Sequence, residues 1–140
     1  MKSKTKKPKL KRPPIVTFLG HVDHGKTTIL DRIRKTSVQE KEVGGITQGI
    51  SVYSVSYKDS DITFIDTPGH EAFDLMRVRG GEVADIVLLI VAVDDGVKPQ
   101  TKESIEIIKK NKLNSIVVLN KIDISGINVE KVQRQLSAEG

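Results

Sequence analysis

Residues 20–27, Gly-His-Val-Asp-His-Gly-Lys-Thr, restrict this chain more than any other stretch. They follow an apolar run, Ile15 to Leu19, and precede a helix-like segment in which Ile29, Leu30 and Ile33 share one face. The spacing G-x-x-x-x-G-K-[ST] between strand and helix is that of a phosphate-binding loop. Gly20 and Gly25 allow backbone angles and close approaches that a Cβ would forbid. The amides between them can then converge on phosphate oxygens at a helix N-terminus, where unpaired N–H groups and the helix dipole favour negative charge. Lys26 would reach the β- and γ-phosphates, and the Thr27 hydroxyl would ligate Mg²⁺. The loop alone points to a nucleotide and leaves the base open.

The rest of the chain reads as strands alternating with helices. Ser51 to Tyr57 alternates, with Tyr53, Val55 and Tyr57 on one face, as an edge strand half in water does. Lys58-Asp59-Ser60-Asp61 makes a turn, and Ile62 to Ile65 pairs back antiparallel. Thr36 to Gly49 has no periodicity and reads as a flexible loop, and a helix is expected from Glu71 to about Arg79. Ile86 to Val93 is continuously apolar and β-branched, the pattern of a central strand covered on both faces. Asp94-Asp95-Gly96 turns the chain, Pro99 to Asn111 is helical, and Ser115 to Leu119 is a further buried strand. Val129, Val132 and Leu136 mark a last amphipathic helix. This alternation predicts an α/β fold with a doubly wound, mostly parallel sheet of five strands, one of them an antiparallel edge strand. Ligands then bind at the strands' C-terminal ends, where each motif falls.

Charge divides the chain. Lys2, Lys4, Lys6, Lys7, Lys9, Lys11 and Arg12 put +7 into the first twelve residues without an acid, so the chain's +5 leaves −2 for residues 13–140. The first twelve read as a basic disordered tail, suited either to RNA phosphates or to a solvated linker. Residues 13–140 are long and apolar enough for one domain. The absence of cysteine excludes disulfides and thiolate zinc sites. No run approaches the ~20 residues of a membrane span, and no secretory signal is evident, so the expectation is a protein of the cytoplasm or an organelle matrix or stroma.

Two further signatures refine the nucleotide. Asp66-Thr67-Pro68-Gly69 is D-x-x-G after a strand; Asp66 would hold Mg²⁺ through water, and the Gly69 amide would sense the γ-phosphate. Asn120-Lys121-Ile122-Asp123 is N-K-x-D after a buried strand. Guanine presents N1–H and N2–H₂ side by side, which one carboxylate, Asp123, can accept together. Adenine would leave that carboxylate unpaired. With charged hydrogen bonds worth ~1.5–3 kcal/mol each, discrimination on the order of 10²–10⁴ follows. Asn120 would brace the loop near the base, and the Lys121 stem would cover the ring face.

With GGITQGI (residues 44–50), DTPGHEAF (66–73), MRVRGG (76–81) and DDGVKPQT (94–101) beside these motifs, the sequence resembles the GTP-binding domain of bacterial-type translation initiation factor 2, from about Arg12 onward. The phosphate loop and DTPGH are shared with other translational GTPases, whereas GGITQ and EAF are more particular to this factor. The resemblance implies a P-loop GTPase that binds GTP, GDP and Mg²⁺, with Asp23, His24, Gly25, Lys26, Thr27 and Thr28 around the phosphates. It implies that Thr47 closes over Mg²⁺ in the GTP state, that His70 positions the attacking water, and that Val22 and Ile46 gate its approach. Asp23 would help to place a monovalent cation. No arginine finger is identifiable, so charge stabilisation would come from ribosomal RNA. The family's domain continues into a serine-alanine loop, a last strand and a helix, and later domains engage initiator tRNA; the sequence does not contain them. The implied function is ribosome-stimulated GTP hydrolysis in initiation. The alternatives are a guanine-nucleotide-binding fragment without effective turnover, or the domain of another translational GTPase. Without the last strand, Ser115 to Leu119 is expected to be an open edge, and without the last helix, apolar residues of the Ile15 and Ile62 strands are expected to be partly exposed.

Overall fold

A computed structural model describes residues 12–21, 23–36, 40–42, 51–66 and 84–140. Six strands form one sheet among them: β1 (Ile15–Gly20), β2 (Glu40–Glu42), β3 (Ser51–Tyr57), β4 (Ser60–Asp66), β5 (Ile86–Ala92) and β6 (Ser115–Asn120), in the order β2-β3-β4-β1-β5-β6. β1 runs parallel to β4 and β5, and β5 is parallel to β6, while β3 is antiparallel to β2 and β4. The helices described are α1 (Lys26–Thr36), α2 (Pro99–Lys110) and α3 (Val129–Ala138). The sheet is α/β and mostly parallel, as the alternation predicts.

Period-two alternation sorts the core onto two faces. Val16, Phe18, Val55, Phe64 and Ile90 pack with Leu30 of α1, and the Phe18 and Phe64 rings meet at 5.8 Å. Leu19, Val87, Leu89, Val91 and Val93 pack on the other face with Val132 of α3 and with Ile105 and Ile108 of α2. The β3–β4 hairpin closes through Lys58 and Asp59, both at positive φ, and Tyr57 pairs with Ser60. That two-residue turn carries the twist antiparallel strands require.

Two expectations are corrected. The sheet has six strands rather than five, because Glu40–Glu42, inside the segment read as a loop, pairs antiparallel with β3 (Glu40 opposite Val55, Glu42 opposite Tyr53). β3 is therefore not the edge. Three residues, each charged, present no alternation to detect, and charge is how edge strands resist pairing with other chains. The second concerns Ser115 to Leu119, read as a buried strand, which is exposed over Ser115, Ile116 and Val117. The strands of Ile15 and Ile62 are partly exposed at those two residues, as expected, but little beyond them. Val16, Phe18, Phe64 and Ile65 are buried there because β1 is interior and α1 covers one face. Ile116 and Val117 of the edge strand β6 are instead 53% and 44% exposed. The Glu71–Arg79 helix and GGITQ loop lie outside the described residues.

Candidate functional site

The phosphate loop joins the C-terminal end of β1 to the first turn of α1. β1 sits between β4 and β5, so the loop emerges at the switch point, where connections leave to opposite sides. Both loop glycines are required. Gly20 has φ +136°, and a Cβ on it would collide with the Ile90 carbonyl oxygen of β5. Gly25 has φ +90°, and a Cβ there would collide with the Asn120 side-chain nitrogen. Between them His24 N–H donates to the His21 carbonyl at 3.1 Å, and Gly25 accepts from Ile29 N–H at 3.0 Å, opening the helix.

Lys26, Thr27 and Thr28 form the helix's first turn, with Lys26 buried and the two threonines exposed. Burial lowers the Lys26 pKa, opposed by the Asp66 charge. Burial likewise raises Asp66, opposed by Lys26 and reinforced by Asp31. Thus the ammonium and the carboxylate at the end of β4 face each other in a place that disfavours both charges. A polyanion with its cation would compensate the pair better than either residue does for the other.

The loop after β6 reaches back to the phosphate loop. Asn120 Nδ2 donates to the His24 carbonyl, and Lys121 Nζ donates to the Asp23 carbonyl, both at 2.9 Å. Lys121 adopts φ +60°, left-handed for a non-glycine residue, and its long stem makes that return. Here the Lys121 ammonium is spent on the Asp23 backbone. Asp123 lies exposed in the following turn, and the Asp23 side chain points outward, 3.8 Å from His21 Nε2. The structure therefore brings together Asp23, His24, Gly25, Lys26, Thr27, Thr28, Asp66, Asn120 and Lys121, while Asp123 is exposed in the turn that follows. Val22, Ile46, Thr47, Gly69 and His70 lie outside the described residues.

Two features escaped the sequence. His24 is completely buried, its ring tilted on His21 with centroids 4.9 Å apart and its Nε2 3.3 Å from Asp95 Oδ2. Asp95 read only as a turn residue, and no local pattern would have linked it to residue 24. At the opposite end of the parallel strands, Arg12 forks onto Asp85 with two 2.8 Å hydrogen bonds, and Asp85 also accepts the Ile15 amide at 2.8 Å. An open groove of about 880 Å³ lies there, lined by Arg12, Pro13, Pro14, Asp59, Asp61 and Asp85. Its carboxylates make it unsuited to phosphate.

The chain matches the model of the elongation factor Tu GTP-binding domain over residues 11–139. It is 61% identical over 132 residues to the chloroplastic translation initiation factor IF-2 of Guillardia theta, covering 91% of this chain and 18% of that protein. It is 57% identical to translation initiation factor IF-2 of Kosmotoga olearia, covering 93% and 19%. The corresponding factor of Lactobacillus johnsonii is 56% identical, covering 99% and 16%. The chain thus spans less than a fifth of the length of these curated relatives. Among solved structures, GDP-bound aIF5B from Aeropyrum pernix is similar at a TM-score of 0.66 and 39% identity, covering 91% of this chain and 27% of that one. The sheet order, the phosphate loop clamped from the β6 side, and a match over nearly the whole length agree: the chain belongs to the elongation factor Tu GTP-binding domain family.

Proposed function

We propose that this domain binds GTP and GDP and hydrolyses GTP, and that it is the nucleotide-dependent switch of a translation initiation factor. The observation that carries the reading is the pair of clamps from Asn120 and Lys121 onto the carbonyls of His24 and Asp23. They join the segment suited to reading guanine to the segment suited to holding phosphates. A ligand that spans both segments is a guanine nucleotide.

The roles follow from the chemistry. Backbone amides of the loop and the α1 N-terminus receive the phosphate oxygens. Lys26, desolvated and facing Asp66, supplies a cation to the β- and γ-phosphates. The Thr27 hydroxyl and the Asp66 carboxylate are hard oxygen donors, the set that suits Mg²⁺. Bound there, the ion would neutralise charge on the β- and γ-phosphate oxygens. Asp123 accepts N1–H and N2–H₂ of guanine. His70 orients the attacking water, Val22 and Ile46 shield it, Thr47 would close over Mg²⁺ in the GTP state, and Gly69 senses the γ-phosphate. Asp23 assists with a monovalent cation. Stimulation comes from ribosomal RNA, initiator tRNA is engaged by other domains of the whole factor, and the basic segment Lys2 to Arg12 contacts RNA. The working compartment is the cytoplasm or an organelle interior; no helix among the described residues is long and apolar enough to cross a membrane.

Asp123→Asn tests the base assignment. The variant should lose GDP affinity by at least ~100-fold and gain XDP, whose C2 oxygen needs a donor opposite it. Unchanged GDP affinity with no gain for XDP would refute the guanine reading. For turnover, His70→Ala should keep GTP binding and lose ribosome-stimulated hydrolysis; a variant still fully stimulated would refute that role.

A further inference from the structure

The turn after β5 touches the phosphate loop by a route outside the nucleotide-binding motifs. His24 Nδ1 and Nε2 are both shielded from solvent, and neither completes a hydrogen bond among the described residues. Asp95 Oδ2 nevertheless stands 3.3 Å from Nε2, near bonding length but off the N–H direction. Asp95 is itself held. Its Oδ1 lies 3.7 Å from Lys98 Nζ, its amide donates to the Ala92 carbonyl, and Gln135 Oε1 of α3 accepts the Val97 amide at 3.2 Å. The turn is therefore fixed to β5 and α3, and its carboxylate is presented to the loop's one buried side chain of dual character.

An imidazole in such a place must choose a tautomer. A carboxylate is acceptor-only, so its approach favours the tautomer that carries the proton on Nε2. Burial and the neighbouring His21 lower the His24 pKa, against the pull of Asp95 and of the Ile90 backbone. The backbone of the same residue is gripped from another side, where Asn120 takes its carbonyl. Two partners from different elements on one residue leave His24 little freedom.

We propose that Asp95 is a positioning residue for the phosphate loop, acting through His24: by taking Nε2–H it fixes the ring and thereby the loop amides that receive phosphate. The proposal rests on the loop being a nucleotide site. Such preorganisation raises affinity by removing the ordering cost at binding, and it should show mainly in the release rate.

The test uses the 140-residue chain, GDP carrying a fluorescent N-methylanthraniloyl group, and ¹⁵N-labelled histidine. Asp95→Ala should release GDP about tenfold faster, the scale of one charged hydrogen-bond partner. In the GDP complex its His24 should lose the uniform Nε2–H tautomer that the parent chain shows by ¹⁵N shifts. His24→Gln keeps a side-chain N–H donor for Asp95 and should release GDP more slowly than His24→Leu does; equal release from the two would overturn the proposal. Adding Asp95→Ala to His24→Leu should then cost little more, because coupled partners are non-additive. GDP release unchanged by Asp95→Ala would overturn the proposal, and so would faster release with the tautomer intact, which marks a turn that is only structural. Fully additive losses in the double variant would also overturn it. If His24→Leu fails to fold, the tautomer in Asp95→Ala alone decides. A parent chain that does not bind GDP would refute the nucleotide-site reading instead.

Discussion

Replacing Gly25 with alanine perturbs the phosphate loop at the point where backbone and clamp meet. At φ +90° a residue with a Cβ is strained by about 1–3 kcal/mol. The new methyl also falls on the Asn120 side-chain nitrogen, which is donating to the His24 carbonyl at 2.9 Å. Displacing it forfeits a hydrogen bond worth about 1 kcal/mol. Together these come to roughly 3 kcal/mol, or about two orders of magnitude in GDP affinity. The cost should fall on binding and on folding alike, since the loop is clamped by Asn120 and Lys121 before any nucleotide holds it. Titration calorimetry with GDP reads the first quantity and thermal denaturation without nucleotide reads the second. Adding Asn120→Ala removes the atom that the methyl strikes, so the double variant should bind about 1 kcal/mol better than the sum of the single losses predicts. A Gly25→Ala chain that binds GDP within threefold of the parent, or strictly additive losses, would refute the geometry.

Asp85 is held below its ordinary pKa first by the Arg12 hydrogen bonds and then by the Ile15 amide. A depressed carboxyl stabilises the fold above its unfolded pKa, and that stability is lost as pH falls through the folded value. Asp85→Asn should therefore lower the melting temperature by a few degrees at pH 7 and by nothing measurable at the acid end of the carboxylate range; a pH-independent difference would exclude the ion pair as its cause. Asn128 caps α3, accepting the Lys131 amide at 3.0 Å, so Asn128→Ala should cost about 1 kcal/mol in urea unfolding, and a loss below about 0.3 kcal/mol would discount the cap. Leu89, 2% exposed on the interior strand β5, should cost about 3 kcal/mol as alanine by the same measurement; a loss under about 1 kcal/mol would mean that the core there is slack.

What the sequence made legible was what repeats or what carries a motif. Ile86–Ala92 announces a buried parallel strand because both of its faces are apolar, and the phosphate loop is recognisable because its glycines and lysine lie within eight residues. The alternation in β3 gave its faces and its hairpin partner. What escaped depends on residues far apart in the chain. Glu40–Glu42 becomes a strand only because β3 offers it an edge, since nothing in three charged residues favours pairing. Asp95 near His24, and Arg12 on Asp85, exist only once the sheet order is known. Turn chemistry accounts for an aspartate before glycine so readily that it conceals a second task. Lys121 shows the converse. Its place in the motif was plain, but the left-handed backbone that returns its ammonium to Asp23 was not.

The sheet order also sets a sequence of events for the folding chain. β3 and β4 meet across a two-residue turn and can pair early, at little cost in loop closure. β1 must instead find a place between β4 and β5, with Ile15 opposite Thr63 and Val16 opposite Ile86, so its insertion closes the longest loops. Contacts so distant in sequence form slowly. The phosphate loop is the C-terminal continuation of β1 and is braced from the turn after β5 and from the loop after β6, so it takes shape only when that insertion is complete. Nucleotide binding then has no foothold on half-assembled forms. A ligand of this loop would act on the folding chain by slowing its unfolding, leaving the early rate of hairpin formation untouched, and refolding rates measured with and without GDP would show which limb it moves.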